Sequence, residues 1–513
     1  MREDSIRPHH PVPRVLSELC AEFGLELAND TNIDGLEVTG VTSSAQRAHA
    51  GDIFVAIPGA RRHGAEFSQQ AIDAGAVAIA TDAAGGEIVE REHVDVPVIL
   101  VDDPRLALGH IAGWVYRTDP TQPRLFGATG TNGKTTVSYL TAELFEHLGV
   151  DCGLSTTVER RVGDEHIESV LTTPESDQLH SLLARMREVG DRVAAIEVSA
   201  HTSLGHRLAG IELEAIAFLN FSHDHLDDFA DEEAYFQAKL ALFRPEAARC
   251  GVVNVDDDRG RRVVEETRIP VTTVASQQSE GADWWVESWH EEHGVGFALH
   301  GPEERTVRST IAMPGEFSAM NAACAILSVL QGGWEPEQIQ DALDAAGGFS
   351  AKVPGRLQLV STDPRGPQVY VDYGHTPEAF RSALTALRPR TERELVMVFG
   401  ADGDRDTIKR PAMAEIAATL ADRVIICDYN PRTEDPASIR ATLMAAATAT
   451  GNTNVEEIAD PETALRTAIA RAEPGDVIMN AGPGHESVQH RAQGAIAYSA
   501  LETARAALDE AGW

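Results

Sequence analysis

Seven consecutive residues have the types and order that hold the phosphates of a nucleotide, namely Gly130, Thr131, Asn132, Gly133, Lys134, Thr135 and Thr136. They follow residues 124–129, which read as a strand, and precede residues 137–145, which have a helical pattern. In such a loop, backbone N–H groups and the positive end of the helix dipole attract phosphate. Lys134 would neutralise the β- and γ-phosphates, and the Thr135 hydroxyl would hold Mg²⁺. Because Ala128 stands where the strict pattern has glycine, an ordinary strand–turn–helix corner is the alternative.

Charged side chains follow two further predicted strands in this region. Glu197 ends the apolar run 193–198, where a carboxylate suits a Mg²⁺ ligand opposite Thr135, although alone it reads as a solvent-facing acid. The loop around His225 concentrates histidines and carboxylates that could bind a metal or simply form a solvated loop. Lys239 lies in a helical stretch, and its spacing alone predicts a surface lysine.

Three polar loops, residues 400–406, 428–435 and 480–486, each follow a predicted strand of the C-terminal part. Ligands of open α/β sheets bind at the carboxyl ends of strands, so these loops should converge. Arg405 and Arg432 could clamp a carboxylate with their planar guanidinium groups, and Glu486 could receive an ammonium. Singly, each loop has ordinary polarity; together, they predict a pocket for a zwitterionic ligand.

The chain organisation predicts an α/β protein of three domains, with residues 1–120, 121–350 and 351–513 as the N-terminal, central and C-terminal domains. Continuous apolar strands alternate with helical patterns after the phosphate loop and again after residue 356, which is typical of parallel sheets. We expect a P-loop ATPase-like central sheet and a Rossmann-like C-terminal domain. The Pro-containing segments 119–123 and 350–356 are the predicted linkers.

The bulk composition limits the possible partners. Acidic residues number 80 against 43 basic ones, giving a net charge of -37, which argues against nucleic-acid binding. No window approaches the roughly 18 apolar residues of a membrane span, and the N-terminus lacks a signal-peptide pattern. The five cysteines are scattered without a Cys-x-x-Cys pair. We therefore expect a soluble, cytoplasmic protein, and a monomer.

Taken together, the motifs resemble those of the Mur ligases, the ATP-dependent amide ligases of peptidoglycan precursor synthesis. The similarity runs from about residue 38 to the C-terminus and includes, in chain order, the phosphate loop, Thr172-Thr173-Pro174, Glu197-Val198-Ser199, Asp224-His225-Leu226-Asp227 with Lys239, Asp372-Tyr373-Gly374-His375-Thr376-Pro377, Gly403-Asp404-Arg405-Asp406 with Lys409-Arg410-Pro411, Asn430-Pro431-Arg432 and Gly484-His485-Glu486.

The resemblance implies a reaction. ATP would phosphorylate the D-Glu γ-carboxylate of UDP-N-acetylmuramoyl-L-Ala-D-Glu, and the amine of a third amino acid would attack the acyl phosphate. It also implies site roles: Thr135, Glu197, His225 and a carbamylated Lys239 for Mg²⁺; Asn321 and Asp372 beside the phosphate loop for ATP; Thr172, Thr173, Ser199 and Arg207 for the UDP-sugar-peptide; and Arg405, Asn430, Arg432, Gly482 and Glu486 for the incoming amino acid.

The chain departs from the family pattern at positions that bear on its substrates. An N-terminal Asp-Ser-Arg that helps to hold uridine diphosphate is replaced by Ser44-Ala45-Gln46, so Ser43 or Ser44 would substitute. The pocket motif Asp-Asn-Pro-Arg begins with Tyr429. Arg432 favours meso-diaminopimelate as third residue, whereas Tyr429 leaves L-lysine and L-ornithine open, with Arg432 then pairing with Asp428 or Glu434. A folylpolyglutamate synthetase-like ligase and a P-loop ATPase without ligase activity are the remaining alternatives.

Overall fold

The computed structural model describes residues 6–118, 123–224, 228–279, 281–292 and 294–513. Three large sheets follow one another along the described part of the chain, with helices packed on their faces. This arrangement confirms the α/β class with a multi-domain organisation. The predicted domain boundaries stay predictions, and most of the predicted linker 119–123 lies outside the described residues. Within the described ranges, no helix is both long and apolar enough to cross a bilayer.

The N-terminal sheet has five strands, four of them parallel. Their order across the sheet is Glu26–Leu27, Val98–Leu100, Ala78–Thr81, Asp52–Ala56 and Gly40–Thr42. Arg14–Val15 pairs separately with Glu37–Val38. The helices of this part are Leu16–Phe23, Ser68–Asp73, Ala83–Arg91 and Pro104–Val115, with short 3₁₀ turns at Ala45–Arg47 and Gly64–Phe67.

The central sheet has eleven strands, and the phosphate-loop strand lies inside its parallel portion. In spatial order the strands are Glu165–Glu168, Glu159–Val162, Cys152–Ser155, Val193–Glu197, Arg124–Thr129, Leu213–Phe218, Ala248–Asn254, Val271–Ala275, Trp284–Glu291, Gly294–His300 and Thr306–Ile311. Arg124–Thr129 is flanked by later strands on both sides, so the strand order changes direction there. Such a switch point opens a crevice at the carboxyl ends of the strands.

Helices cover both faces of the central sheet: Lys134–His147, Ser176–Val189, His201–Leu204, Glu232–Leu240, Asp258–Glu266, Glu316–Gln331 and Pro336–Ala346. Glu316–Gln331 is apolar almost all round and packs on the phosphate-loop helix Lys134–His147 and on the sheet. Phe126, Phe145 and Trp334 form an aromatic cluster beside that helix, in which the Phe145 ring centroid lies 4.9 Å from that of Phe126 and 5.0 Å from that of Trp334. This packing fixes the phosphate-loop helix relative to its strand.

The C-terminal sheet has six strands, of which the edge strand Gln358–Leu359 is antiparallel. The others, in spatial order, are Gln368–Asp372, Val477–Ala481, Leu395–Phe399, Arg423–Ile426 and Val455–Glu457. Its helices are Pro377–Leu387, Lys409–Leu420, Pro436–Ala449, Pro461–Ala470 and Ala500–Ala511. Short 3₁₀ turns occur at Arg388–Arg390 and, earlier in the chain, at Pro302–Glu304. The strand Val488–Arg491 pairs separately with Gly494–Ala497. The three polar loops predicted from the sequence all leave the same edge of this sheet.

Candidate active site

A cavity of about 860 Å³ lies between the central and C-terminal sheets. Its wall contains most of the residues singled out in the sequence: Thr131, Asn132, Gly133, Lys134, Thr135, Thr136, Thr172, Glu197, Ser199, Arg207, Lys239, Asn321, Asp372, Arg405, Arg432 and Glu486. The carboxyl ends of two parallel sheets therefore face one shared space, as their strand-and-loop order predicts.

The phosphate loop turns sharply at Gly133, which precedes the helix Lys134–His147. Gly133 has φ of +89°, and a Cβ there would come within 2.7 Å of Asn321 Oδ1. Asn321 belongs to the buried helix Glu316–Gln331, so that helix presses directly on the loop. Only glycine combines this backbone conformation with so close a neighbour.

The segment after the strand Leu213–Phe218 holds the phosphate loop in place. Asn132 N–H donates to Asn220 Oδ1 at 2.9 Å, and Asn220 Nδ2 donates back to the Asn132 carbonyl at 3.0 Å. Thr131 Oγ1 donates to the Ser222 carbonyl at 3.2 Å. These bonds fix the loop before any ligand arrives, so a phosphate would meet preorganised N–H groups.

Lys134 and Lys239 converge on one backbone oxygen of the loop. Lys134 Nζ donates to the carbonyls of Gly130 and Thr131 at 3.0 and 2.9 Å, and Lys239 Nζ donates to the Gly130 carbonyl at 2.9 Å. Burial lowers the pKa of Lys134, while Glu197 and Asp224 oppose that effect. Lys134 thus lies where it could supply positive charge to a triphosphate.

Lys239 corrects the expectation from spacing, because it is not a surface lysine. Only 1% of the residue is exposed, and its Nζ lies 4.5 Å from the Tyr235 ring centroid. Asp231 caps the helix Glu232–Leu240, which places Lys239 on its buried side. Burial, with the positive charge of Lys134, lowers the pKa of Lys239 well below its ordinary range, although Asp224 opposes the shift.

Glu197 and Thr135 present oxygen atoms beyond the ends of neighbouring strands. Glu197 is 1% exposed and accepts from the Thr157 N–H and hydroxyl at 3.2 and 2.8 Å. Thr135 Oγ1 accepts from Arg356 at 2.9 Å. No group of three His, Cys, Asp or Glu suited to a metal occurs among the residues with described positions. A carboxylate and a hydroxyl still fit Mg²⁺, which usually takes one or two protein oxygens and fills its shell with water and phosphate.

A ladder of hydrogen bonds connects Glu197 to the residues implied for the peptide substrate. Thr173 Oγ1 donates to the Glu197 carbonyl at 2.8 Å and accepts from the Ser199 N–H at 3.1 Å. Arg207 donates to the Thr173 carbonyl at 3.0 Å and to Glu175 at 2.7 Å. Thr172 Oγ1 accepts from Thr157 at 3.0 Å. Thr173 is buried behind the wall, whereas Thr172, Ser199 and Arg207 reach the cavity.

Ion pairs across the cavity join the two sheets, and sequence reasoning missed them. His223 bonds Asp406 at 2.9 Å, and Lys409 Nζ lies 3.2 Å from Asp224 Oδ1. Burial opposes protonation of His223, but its bonds to Glu232 and Asp406 raise its pKa. Reasoning from sequence also missed Arg356, because its only signal is its place in a linker. The ion pairs hold the loop 400–406 of the C-terminal sheet opposite the phosphate loop.

The loops of the C-terminal sheet form a compact polar subsite around Glu486. Tyr429 Oη donates to Glu486 Oε2 at 3.0 Å, and Asn430 Nδ2 donates to the same oxygen at 3.2 Å. Burial raises the pKa of Glu486, whereas these two donors oppose the shift. Arg405 Nη1 lies at the cavity 3.8 Å from Asp228. Gly482 lies next to the Tyr429 ring, since a Cβ built on it would be 3.5 Å from that ring.

Arg432 pairs with neither Asp428 nor Glu434, the two partners expected if it does not bind the substrate. Its Nη2 lies 3.4 Å from Asp402 Oδ1, while Asp428 pairs with Arg440 and Glu434 pairs with Arg410. The expected pairing with Asp428 or Glu434 is therefore wrong. Asp428 and Glu434 are already paired with arginines of the helices Pro436–Ala449 and Lys409–Leu420. Arg432 instead meets Asp402, which comes from the loop after the neighbouring strand.

The remaining predicted site residues have different positions relative to the cavity. Asp372 is on the wall and accepts from the Leu357 and Gly374 N–H groups, each at 2.7 Å. Ser44 follows the N-terminal strand Gly40–Thr42 and donates to Gln46 at 3.0 Å. His225 lies outside the described residues. The role of Ser44 in uridine binding and that of His225 in metal binding therefore stay predictions.

Three family profiles match consecutive parts of the chain. Residues 37–116 match "Mur ligase family, catalytic domain", residues 128–329 match "Mur ligase middle domain", and residues 355–484 match "Mur ligase, glutamate ligase domain". The three matches follow the order of the three sheets along the chain, and each contains most of the strands of its sheet.

Individual proteins are similar along nearly the whole chain. A UDP-N-acetylmuramyl-tripeptide synthetase of Leifsonia xyli subsp. xyli is 48% identical over 99% of this chain and 98% of its own length. A UDP-N-acetylmuramoyl-L-alanyl-D-glutamate--2,6-diaminopimelate ligase of Streptomyces avermitilis is 38% identical over 94% of each chain. A solved structure of a 2,6-diaminopimelate ligase of the same type superposes with a TM-score of 0.65 at 26% identity, covering 98% of this chain and 100% of that one.

Proposed function

The chain belongs to the Mur ligase family, and from that premise we propose that it adds a diamino acid to UDP-N-acetylmuramoyl-L-Ala-D-Glu with conversion of ATP to ADP and phosphate. The observation that carries the proposal is a single cavity, in which the phosphate loop faces a subsite that contains both arginine and glutamate side chains. The reaction is an amide ligation of peptidoglycan precursor synthesis, and a cytoplasmic monomer would suffice for it.

The reaction would proceed in two steps inside this cavity. An oxygen of the D-Glu γ-carboxylate attacks the γ-phosphorus of ATP, and ADP leaves as the acyl phosphate forms. The neutral amine of the incoming amino acid then attacks the acyl carbon, and the tetrahedral intermediate releases phosphate and a proton. Lys134 would offset the charge that develops on the transferred phosphoryl group, which preorganised cations do most effectively in a cavity closed to water.

Nucleotide and metal ligands follow from the same geometry. The phosphates would be held by the phosphate loop, namely Gly130, Thr131, Asn132, Gly133, Lys134, Thr135 and Thr136. Asn321 and Asp372 would contact the nucleotide beside this loop. Thr135 and Glu197 would hold Mg²⁺, with His225 and a carbamylated Lys239 as further ligands. The metal, when bound, neutralises phosphate charge and orients the reacting oxygens. A carbamate would turn Lys239 from a cation into an anionic oxygen ligand.

The other two substrates would occupy opposite sides of the phosphate loop. Thr172, Thr173, Ser199 and Arg207 would position the muramoyl peptide, and Ser44 would contact its uridine diphosphate from the N-terminal domain. The incoming amino acid would be held by Arg405, Asn430, Arg432, Gly482 and Glu486. The proposed domains, residues 1–120, 121–350 and 351–513, would thus each supply one substrate site. Arg432 considered alone would favour meso-diaminopimelate, with L-lysine and L-ornithine as alternatives.

The test is ADP release measured with each substrate omitted in turn, together with product mass. ADP should form over many turnovers only when ATP, the UDP-muramoyl dipeptide and a diamino acid are all present. Lys134→Ala should remain folded and lose roughly 10²- to 10³-fold or more in kcat. ADP release without the UDP-peptide would instead indicate a P-loop ATPase, and glutamate addition to a folate would indicate a folylpolyglutamate synthetase.

A further inference from the structure

Asp402 lines the cavity beside Arg432 but is not among the residues proposed to hold a substrate. It follows the strand Leu395–Phe399, and its side chain is only 14% exposed. Its Oδ1 lies 3.4 Å from Arg432 Nη2, and this is the ion pair that Asp402 forms within the described part of the chain. The pocket cation expected to bind a substrate carboxylate therefore already faces a protein carboxylate.

Glu486, on the opposite side of the subsite, has neutral partners. Tyr429, Asn430 and Tyr373 donate to its two oxygens at 3.0, 3.2 and 3.4 Å. Within the described residues, no Lys, Arg or His nitrogen lies within ion-pair distance of this carboxylate. The negative charge of Asp402 also raises the pKa of Glu486, after the larger effect of burial. A half-buried carboxylate without a cation is a site for an ammonium group.

Building on the proposed function, we propose that Asp402 is a specificity-determining residue that selects a diamino acid whose side chain ends in an ammonium and carries no distal carboxylate. Apart from Arg405, whose Nη1 lies 3.8 Å from Asp228, the protein side of the subsite has two carboxylates, Asp402 and Glu486, and one guanidinium, Arg432. A terminal ammonium balances these charges. A diaminopimelate side chain would bring its own carboxylate and leave three anions against two cations in a partly desolvated pocket. Asp402 thus reverses the preference that Arg432 alone would give.

The geometry around Arg432 and Tyr429 agrees with this choice. The Arg432 side chain is 32% exposed at the cavity wall, so a substrate carboxylate could reach its guanidinium. A distal carboxylate bound there would lie next to Asp402, and like charges so placed repel strongly. Tyr429 fills the floor of the subsite, packed against Gly482, which favours a side chain with less bulk at its end.

The test measures kcat/KM of the full-length protein, with ATP and the UDP-muramoyl dipeptide fixed, for L-lysine, L-ornithine, L-2,4-diaminobutyrate, L-norleucine and meso-diaminopimelate. The wild type should prefer one of the three diamino monocarboxylates over meso-diaminopimelate by roughly 100-fold. Norleucine, which lacks the terminal ammonium, should be a poor substrate. Asp402→Asn should shift the ratio toward meso-diaminopimelate by roughly 10-fold or more.

Asp428→Asn is the matched control, because Asp428 forms a comparably buried pair with Arg440 at the same sheet edge but does not line the cavity. It should leave the selectivity ratio at the wild-type value. A wild-type preference for meso-diaminopimelate overturns the inference even if Asp402→Asn cannot be produced folded, and the ligase function then stands. An Asp402→Asn ratio equal to that of Asp428→Asn also overturns it. ADP release that continues over many turnovers without any amino acid contradicts the proposed function itself.

Discussion

At the scale of single residues, the chemistry of Lys239 depends on its burial. Its amine is withdrawn from water next to Lys134, which lowers its pKa and favours the neutral form that can combine with CO₂. We expect Lys239→Ala to be nearly inactive and to regain part of its activity when a short carboxylic acid such as acetate is added. Activity against acid concentration measures this.

Two further variants separate rescue from a general salt effect. Lys239→Arg keeps a cation in place and should not respond to the acid, and Lys134→Ala should not respond either. Two results together would contradict a carbamate at this position: wild-type activity that is unchanged after exhaustive removal of CO₂ and bicarbonate, and a Lys239→Ala variant whose activity the acid does not restore.

How far the site can be predicted from the sequence depends on where each residue lies relative to a strand. Lys134, Glu197 and Glu486 closely follow or end buried strands, so their convergence could be anticipated. Lys239 could not be placed, because its helix has no strongly apolar face to reveal which side is buried. Asp402 follows a strand too, but its partner Arg432 comes from another loop, and such pairing depends on side-chain directions that sequence order does not encode.

At the scale of elements, the phosphate-loop helix anchors the segment that leads to Arg356. Glu143, on this helix, is buried and accepts from the Ser350 N–H at 2.7 Å, the Ser350 hydroxyl at 2.9 Å and the Ala351 N–H at 3.2 Å. The same segment then delivers Arg356 to Thr135. The phosphate loop and the C-terminal domain are thereby connected through one carboxylate.

We expect Glu143→Ala to lower kcat by roughly 10-fold or more, because a displacement of about 1 Å in a positioning element is enough for such a loss. Glu146→Ala is the control on the same helix, since Glu146 is largely exposed and pairs with Arg161 at the surface. It should keep normal kinetics. Equal kcat for the two variants, both with normal thermal unfolding, would show that the linker needs no anchor.

The strands themselves were predictable to different degrees. Leu395–Phe399 and Val477–Ala481 are largely apolar, fully buried parallel strands, and they lead into the loops 400–406 and 480–486 as predicted. The antiparallel extension Trp284–Glu291, Gly294–His300 and Thr306–Ile311 was not predicted. Two of these strands have one exposed face, so polar residues interrupt the apolar pattern.

At the scale of the whole molecule, the N-terminal part docks on the central part through close backbone contact. The helix Pro104–Val115 lies against Ser176–Val189, where Gly113 meets the ring of His180. His180 is fully buried, with Nε2 2.8 Å from the Ala209 carbonyl and Nδ1 2.6 Å from Thr118 Oγ1. One neutral imidazole therefore connects the end of the N-terminal part to the central part.

This docking should weaken in mild acid because of His180. Burial lowers its pKa to about 4, against an ordinary value of 6.5. The folded state therefore keeps the ring neutral while the unfolded chain binds a proton, so the contribution to stability is complete above pH 6.5 and decreases as pH falls toward 4. Between about pH 7 and pH 5 the free energy of unfolding should decrease by about 2 kcal/mol from this residue.

Urea unfolding of the wild type and of His180→Gln at both pH values measures this contribution, since Gln can still donate to the Ala209 carbonyl but does not titrate. The wild type should lose more stability than His180→Gln on acidification. His290→Gln, at an exposed position of the strand Trp284–Glu291, should behave as the wild type. If the wild type and His180→Gln lose the same stability, the buried neutral histidine does not set the acid sensitivity of this interface.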